Sequence, residues 1–174
     1  IAEWGMEQLA RDARITTLYE GTTGIQALDL LGRKVLQLQG AGLKAFLAMV
    51  DEFCREHADN AAVAEFIGPL RTRAAEWQAL TKDVVQRATA NPDELGAAAH
   101  DYLMYSGYLV LAYWWARSVA ASEASTQSAG FKAAKRETAR FYFARLLPRA
   151  SAHAEAIGAS AATLMALPAE AFDA

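Results

Sequence analysis

Residues 91–121 read NPDELGAAAHDYLMYSGYLVLAYWWARSVAA. The opening Asn-Pro-Asp-Glu is a helix start. Asn91 serves as cap, Pro92 takes the first helical position, and Glu94 falls where a capping box places an acid. From residue 102 to 115 the segment is apolar on nearly every face. A helix of that kind is enclosed by other elements or faces a partner. Tyr102, Tyr105, Tyr108, Tyr113, Trp114 and Trp115 carry more aromatic surface than a small bundle is expected to enclose. Some of them are therefore expected to face the body of a larger protein or another subunit, where aromatics concentrate. A ligand pocket is the alternative.

The sequence around this helix repeats the helical period. Downstream, 122–130 (SEASTQSAG) is a small polar loop, and 131–157 reads as one long helix bent at Pro148. Its Lys132, Lys135, Arg136, Arg140, Arg145 and Arg149 read as a solvated face, with an anionic partner as the less favoured reading. Upstream, Val63, Ile67, Leu70, Ala74, Trp77, Thr81, Val84 and Ala88 alternate steps of four and three, the stripe of an amphipathic helix. Asp59-Asn60 caps it, and Pro69 kinks it or marks its start. Leu43, Phe46, Leu47, Val50, Phe53 and Cys54 stripe another helix ending near His57, with Cys54 as a core residue rather than a reactive thiol. No period-two alternation suggests a strand. Gly40 and Gly42 loosen the chain, and the domain boundary is expected there: 1–39, then 40–174. The expected fold class is all-α, the tail of one helical bundle followed by a separate up-down four-helix bundle.

Composition narrows the function. The chain has 174 residues, 53% of them apolar, with net charge −3 and a pI of about 5.6. That acidity argues against a duplex nucleic-acid binder. The one cysteine, Cys54, forbids an internal disulfide and fits a reducing compartment, so a cytoplasmic location is expected. The most apolar run, 103–116, is too short to span a bilayer. His57, His100 and His153 are isolated, without zinc-ligand spacing, and no glycine-rich phosphate loop follows a strand. The chain opens IAEWGMEQLARD, without an initiator Met, and reads as a piece of a longer protein.

The candidate chemistry lies in 11–26, RDARITTLYEGTTGIQ. Gly21 and Gly24 permit a bend. Thr23 and Gln26 fit a capping box for a helix striped by Ile25, Leu28, Leu31 and Val35. Glu20 stands just before that helix. Its spacing alone reads as dipole stabilisation of a helix start, or as a carboxylate projecting from a bend into a cleft.

This stretch resembles the signature near the C-terminus of the acyl-CoA dehydrogenases, a flavoprotein family. Residues 27–35, ALDLLGRKV, and 139–154, ARFYFARLLPRASAHA, resemble a branch with an extra C-terminal helical domain, which includes enzymes similar to 3-methylmercaptopropionyl-CoA dehydrogenase. The resemblance implies FAD-dependent oxidation of an acyl-CoA thioester to the 2,3-enoyl-CoA. Glu20 would be the catalytic base. Tyr19 and Gly21 would line the acyl and thioester site, Arg33 would serve coenzyme A, and Thr22, Thr23 and Gly24 would contact FAD. An electron-transfer flavoprotein is the implied acceptor, and a homo-oligomer the implied assembly. Two positions depart from the family pattern. Ala27 stands where relatives often carry Arg, and Arg33 stands beside the matching position, Gly32. Without flavin-binding segments, the chain alone is expected to be inactive. The other reading is a non-catalytic helical assembly module.

Overall fold

The structure is a computed structural model, described here for residues 5–18 and 22–172, and no strand occurs among them. The helices are α1 (Glu7–Arg14), α2 (Thr23–Leu28), α3 (Ala41–Glu56), α4 (Ala64–Ala90), α5 (Asp93–Glu123), α6 (Ala129–Phe141) and α7 (Ala150–Gly158). A π-helical stretch, Asp29–Gln37, continues α2 without a break, and another, Tyr142–Leu146, leads from α6 toward α7.

The all-round apolar helix is the axis of the fold. α5 packs against α2, α4, α6 and α7, while α3 packs on α4. The arrangement is therefore not four equal corners of an up-down bundle. It is one central helix with neighbours on several sides, which explains why its apolar residues form no single stripe. Most of the aromatics are core residues because their hydroxyls find partners. Tyr102 lies 2.7 Å from the Thr81 hydroxyl. Tyr105 donates to the Arg73 carbonyl at 2.8 Å and to Glu76 at 2.7 Å. Burial pushes the Tyr102 hydroxyl up to about 12, and Tyr105 is raised further in the same direction. Tyr113 is buried and meets Phe46 and Phe53 edge-on at 5.5 and 5.7 Å. The core thus encloses more of this cluster than its composition suggested. Tyr108 is half-buried and stacks on His153. Trp114, 50% exposed, is the outward one.

Several local expectations change. α2 begins after Thr22, and no side-chain cap bond forms there, so the Thr23–Gln26 capping box is absent. The buried stripe of this helix is Ala27, Leu31 and Val35, whereas Ile25 (67%) and Leu28 (47%) are exposed. The three buried residues are spaced four apart and so share one face, and the winding changes from α to π after Leu28. Pro69 lies inside α4 without ending it. The expected single last helix is two, and Pro148 sits in a 3-10 turn, Leu147–Arg149, where its missing N–H fits the change of winding. The polar loop is short, and Ser128 caps α6 by accepting from the Phe131 amide at 3.2 Å. Two of the six basic residues are engaged by carboxylates, Arg136 by Glu123 and Arg140 by Glu65 and Glu137, while Arg145 and Arg149 are exposed. Across Gly40 the core is continuous, since Ala27, Leu31 and Val35 share it with residues of α3, α4 and α5.

Asn91 does act as a cap, accepting from the Asp93 amide at 3.1 Å. Glu94 turns elsewhere. It is buried, accepts from the Ser160 hydroxyl at 2.8 Å and the Ala161 amide at 3.0 Å, and pairs with Arg87. Arg87 also donates to the Ile157 carbonyl at 2.6 Å. One carboxylate thereby fastens the segment after α7 to the junction of α4 and α5. The Ser160 hydroxyl, then the Ala161 amide and Arg87, hold the Glu94 carboxyl below its ordinary range against the opposing effect of desolvation. A lowered folded pKa means a contribution present above the unfolded pKa and lost as pH falls through the folded one. Glu94→Gln should therefore lower Tm at neutral pH. The gap to the parent should close in acid. Melting curves across pH check this, and a gap that persists at low pH would point to packing instead of charge.

Candidate functional site

Tyr19, Glu20 and Gly21 lie outside the described residues. The positions around them are placed. Thr22 is half-buried, and its carbonyl accepts from the Gln26 amide at 2.8 Å. Thr22 makes no side-chain cap bond, so among the described residues the first-turn N–H groups of α2 have no side-chain acceptor. Thr23 and Gly24 are exposed, and among the described residues no atom beyond Gly24's own chain neighbours and helix backbone stands within 4 Å of where its Cβ would be. Unclaimed donors beside open space suit a ligand carrying acceptor oxygens or negative charge. Ile25 and Leu28 on this helix are exposed, as are Ile15 and Leu18 before it in the sequence.

Arg33 lies on the π stretch, two or more turns along from Thr22–Gly24. It is exposed, and its Nε sits 2.5 Å from Asp29, which Lys34 also approaches at 3.1 Å. Arg33, then Lys34, holds the Asp29 carboxyl below the usual range. A tethered guanidinium is fixed in direction yet keeps donors to offer.

His153 is not isolated, because its Nδ1 lies 2.7 Å from Asp101 and joins α7 to α5. Cys54 is fully buried, and burial pushes its thiol up, as a core residue requires. Among the described residues, no group of three His, Cys, Asp or Glu side chains could hold a metal ion, and no helix is long and apolar enough to cross a membrane.

Residues 46–168 match the family described as acetyl-CoA dehydrogenase C-terminal like. Over 156 residues the chain is 35% identical to the 3-methylmercaptopropionyl-CoA dehydrogenase of Ruegeria pomeroyi, covering 87% of this chain and 26% of that protein. The chain belongs to the acyl-CoA dehydrogenase family. The broad-specificity linear acyl-CoA dehydrogenase FadE5 of Mycobacterium tuberculosis is 29% identical over 90% of the chain and 28% of its own length. A butyryl-CoA dehydrogenase of Syntrophomonas wolfei is 29% identical over 99% of the chain and 29% of its own length. The chain thus spans little more than a quarter of the dehydrogenases it matches. The family match begins after the 11–26 motif, but the 99% alignment includes that motif.

Proposed function

We propose that this chain is the C-terminal part of an FAD-dependent acyl-CoA dehydrogenase that oxidises an acyl-CoA to its 2,3-enoyl-CoA. The observation that carries the reading is the Tyr-Glu-Gly-Thr-Thr-Gly sequence leading into a helix with no side-chain cap, in a chain 35% identical to a relative of that activity. Residues 1–39 end the dehydrogenase's own helical domain, and 40–174 are the extra domain.

The α-proton of a thioester is weakly acidic, so its removal needs both a base and stabilisation of the charge that grows on the carbonyl oxygen. Glu20 is the base, and its main-chain amide one donor to that oxygen. An exposed carboxylate is too weak a base at neutral pH, and cover by an apolar acyl chain raises its pKa into the useful range. Tyr19 and Gly21 line the acyl and thioester site. Arg33, held by Asp29, faces the coenzyme A end. Thr22, Thr23 and Gly24 hold FAD through free amides and open space. FAD supplies the hydride acceptor for the β-carbon. An electron-transfer flavoprotein reoxidises the enzyme, and the location is cytoplasmic.

A homo-oligomer is part of the same proposal. Leu111 and Trp114 stand one turn apart on α5, both about half exposed, with the Arg117 guanidinium 5.0 Å from the Trp114 ring. Tyr108 is half-buried and stacks on His153. Sedimentation of the full-length protein and a Trp114→Ser variant tests the contact, which the variant should weaken.

The activity is tested by dye reduction. Full-length protein should reduce an artificial electron acceptor when given acyl-CoA esters, and the 174-residue chain alone should show neither reduction nor bound flavin. Full-length protein that binds FAD yet reduces no dye with any straight or branched acyl-CoA would leave the assembly role as the better reading.

A further inference from the structure

A groove of about 620 Å³ runs between the π stretch and α3 on one side and α4 on the other. Its size falls within the ordinary span of small-molecule sites. Leu36, Leu43, Leu47 and Val85 give it apolar walls, and Lys44 and Lys82 stand at it. Thr81 lines it as well, but its hydroxyl is engaged with the Trp77 carbonyl and Tyr102, both at 2.7 Å.

The charge is one-sided. Among the described residues lining the groove there is no carboxylate. Among the described residues neither Lys44 nor Lys82 enters an ion pair, whereas Arg73, Arg87, Arg136 and Arg140 are each held by a glutamate. The end of the groove is formed by an unusual turn. Gln39 adopts φ 53° and Gly40 φ 70°, and the Gly40 amide donates to the Val35 carbonyl at 2.7 Å. A glutamine held in the left-handed region is strained, and such strain persists where surrounding structure demands it. Here the turn starts α3 at the groove, with Lys44 in its first turn.

We propose that this groove binds a linear acyl chain bearing an anionic head, with the chain on the leucine and valine walls and the head between Lys44 and Lys82. Lysine suits that position because its stem covers apolar surface while its ammonium meets the charge. The proposal does not depend on Glu20 or on dehydrogenation.

The test is photo-crosslinking on the full-length protein. Dodecanoate carrying a terminal diazirine should label peptides from α3 and α4. Lys44→Ala/Lys82→Ala should lower that labelling by at least about tenfold, the effect of losing charged hydrogen bonds. The matching alcohol, with the same chain and no charge, should label as poorly. Val85→Asp, at a position exposed enough to keep the fold, should also remove it. A parallel arm with dodecanoyl-CoA identifies the anion: labelling by the free acid assigns the head to a carboxylate, and labelling by the thioester alone would overturn the proposal. Labelling confined to other segments, no labelling at all, or labelling equal in the double variant or with the alcohol would overturn the proposal.

Discussion

Replacing Glu20 by Gln in the full-length protein is expected to cut turnover with its best acyl-CoA by at least about a hundredfold, the lower end of what a general base contributes. Gln keeps the size and much of the hydrogen bonding of Glu, so binding should survive while proton removal fails. The main-chain amide at this position is retained, and polarisation of the thioester carbonyl with it. FAD content should be nearly unchanged, because the proposed contacts lie on Thr22, Thr23 and Gly24. Those three sit at an α2 start with no side-chain cap and open space at Gly24, features that a change at Glu20 leaves in place. The pattern to look for is a collapse of kcat with little movement of substrate affinity, since an interaction made only in the transition state lowers the rate without weakening the ground state. Retention of most activity would place the base on another residue and remove the assignment.

The helices were legible from periodicity, and the start of α5 from four residues in a row. What periodicity misjudged was the face of the helix after Thr23. Of the expected stripe Ile25, Leu28, Leu31, Val35, the π stretch buries Leu31 and Val35, while the α-helical part before it buries Ala27 in place of Ile25 and Leu28. Long-range partners were out of reach for a different reason. Glu94 meets Ser160 across 66 residues, and His153 meets Asp101 across 52, and no local pattern encodes either. The basic residues of α6 looked like a solvated face because Glu65 and Glu123, which hold two of them, lie on other helices. The candidate site was legible in another way. The order of residue types in 11–26 suggested it, while spacing alone left Glu20 an ordinary acid before a helix.

Leu31→Ala should destabilise the chain by about 3 kcal/mol, within the range for emptying a leucine-sized space in a packed interior. Leu31 is fully buried, and the adjacent Gly32 is close enough to α5 that a Cβ there would stand 3.7 Å from Leu95. Removing the isobutyl group leaves a cavity that the π stretch and the central helix cannot both close, because each is fixed by other neighbours. Leu28→Ala, one turn earlier on the exposed face, should change stability by no more than about 0.5 kcal/mol, as surface substitutions do. Denaturant unfolding followed by tryptophan fluorescence and far-UV circular dichroism measures both. Trp77 is buried beside α5, at 5.9 Å from Tyr102, so its emission reports on the shared core. If helix 23–37 belongs to that core, both probes should give one transition, shifted to lower denaturant in Leu31→Ala with unchanged slope. A cost under about 1 kcal/mol, or a separate early transition seen only by dichroism, would show that the chain before Gly40 folds as an appendage. The boundary at Gly40 would then be energetic as well as functional. The single-transition outcome would mean that the extra domain braces the helix which begins at the proposed catalytic motif.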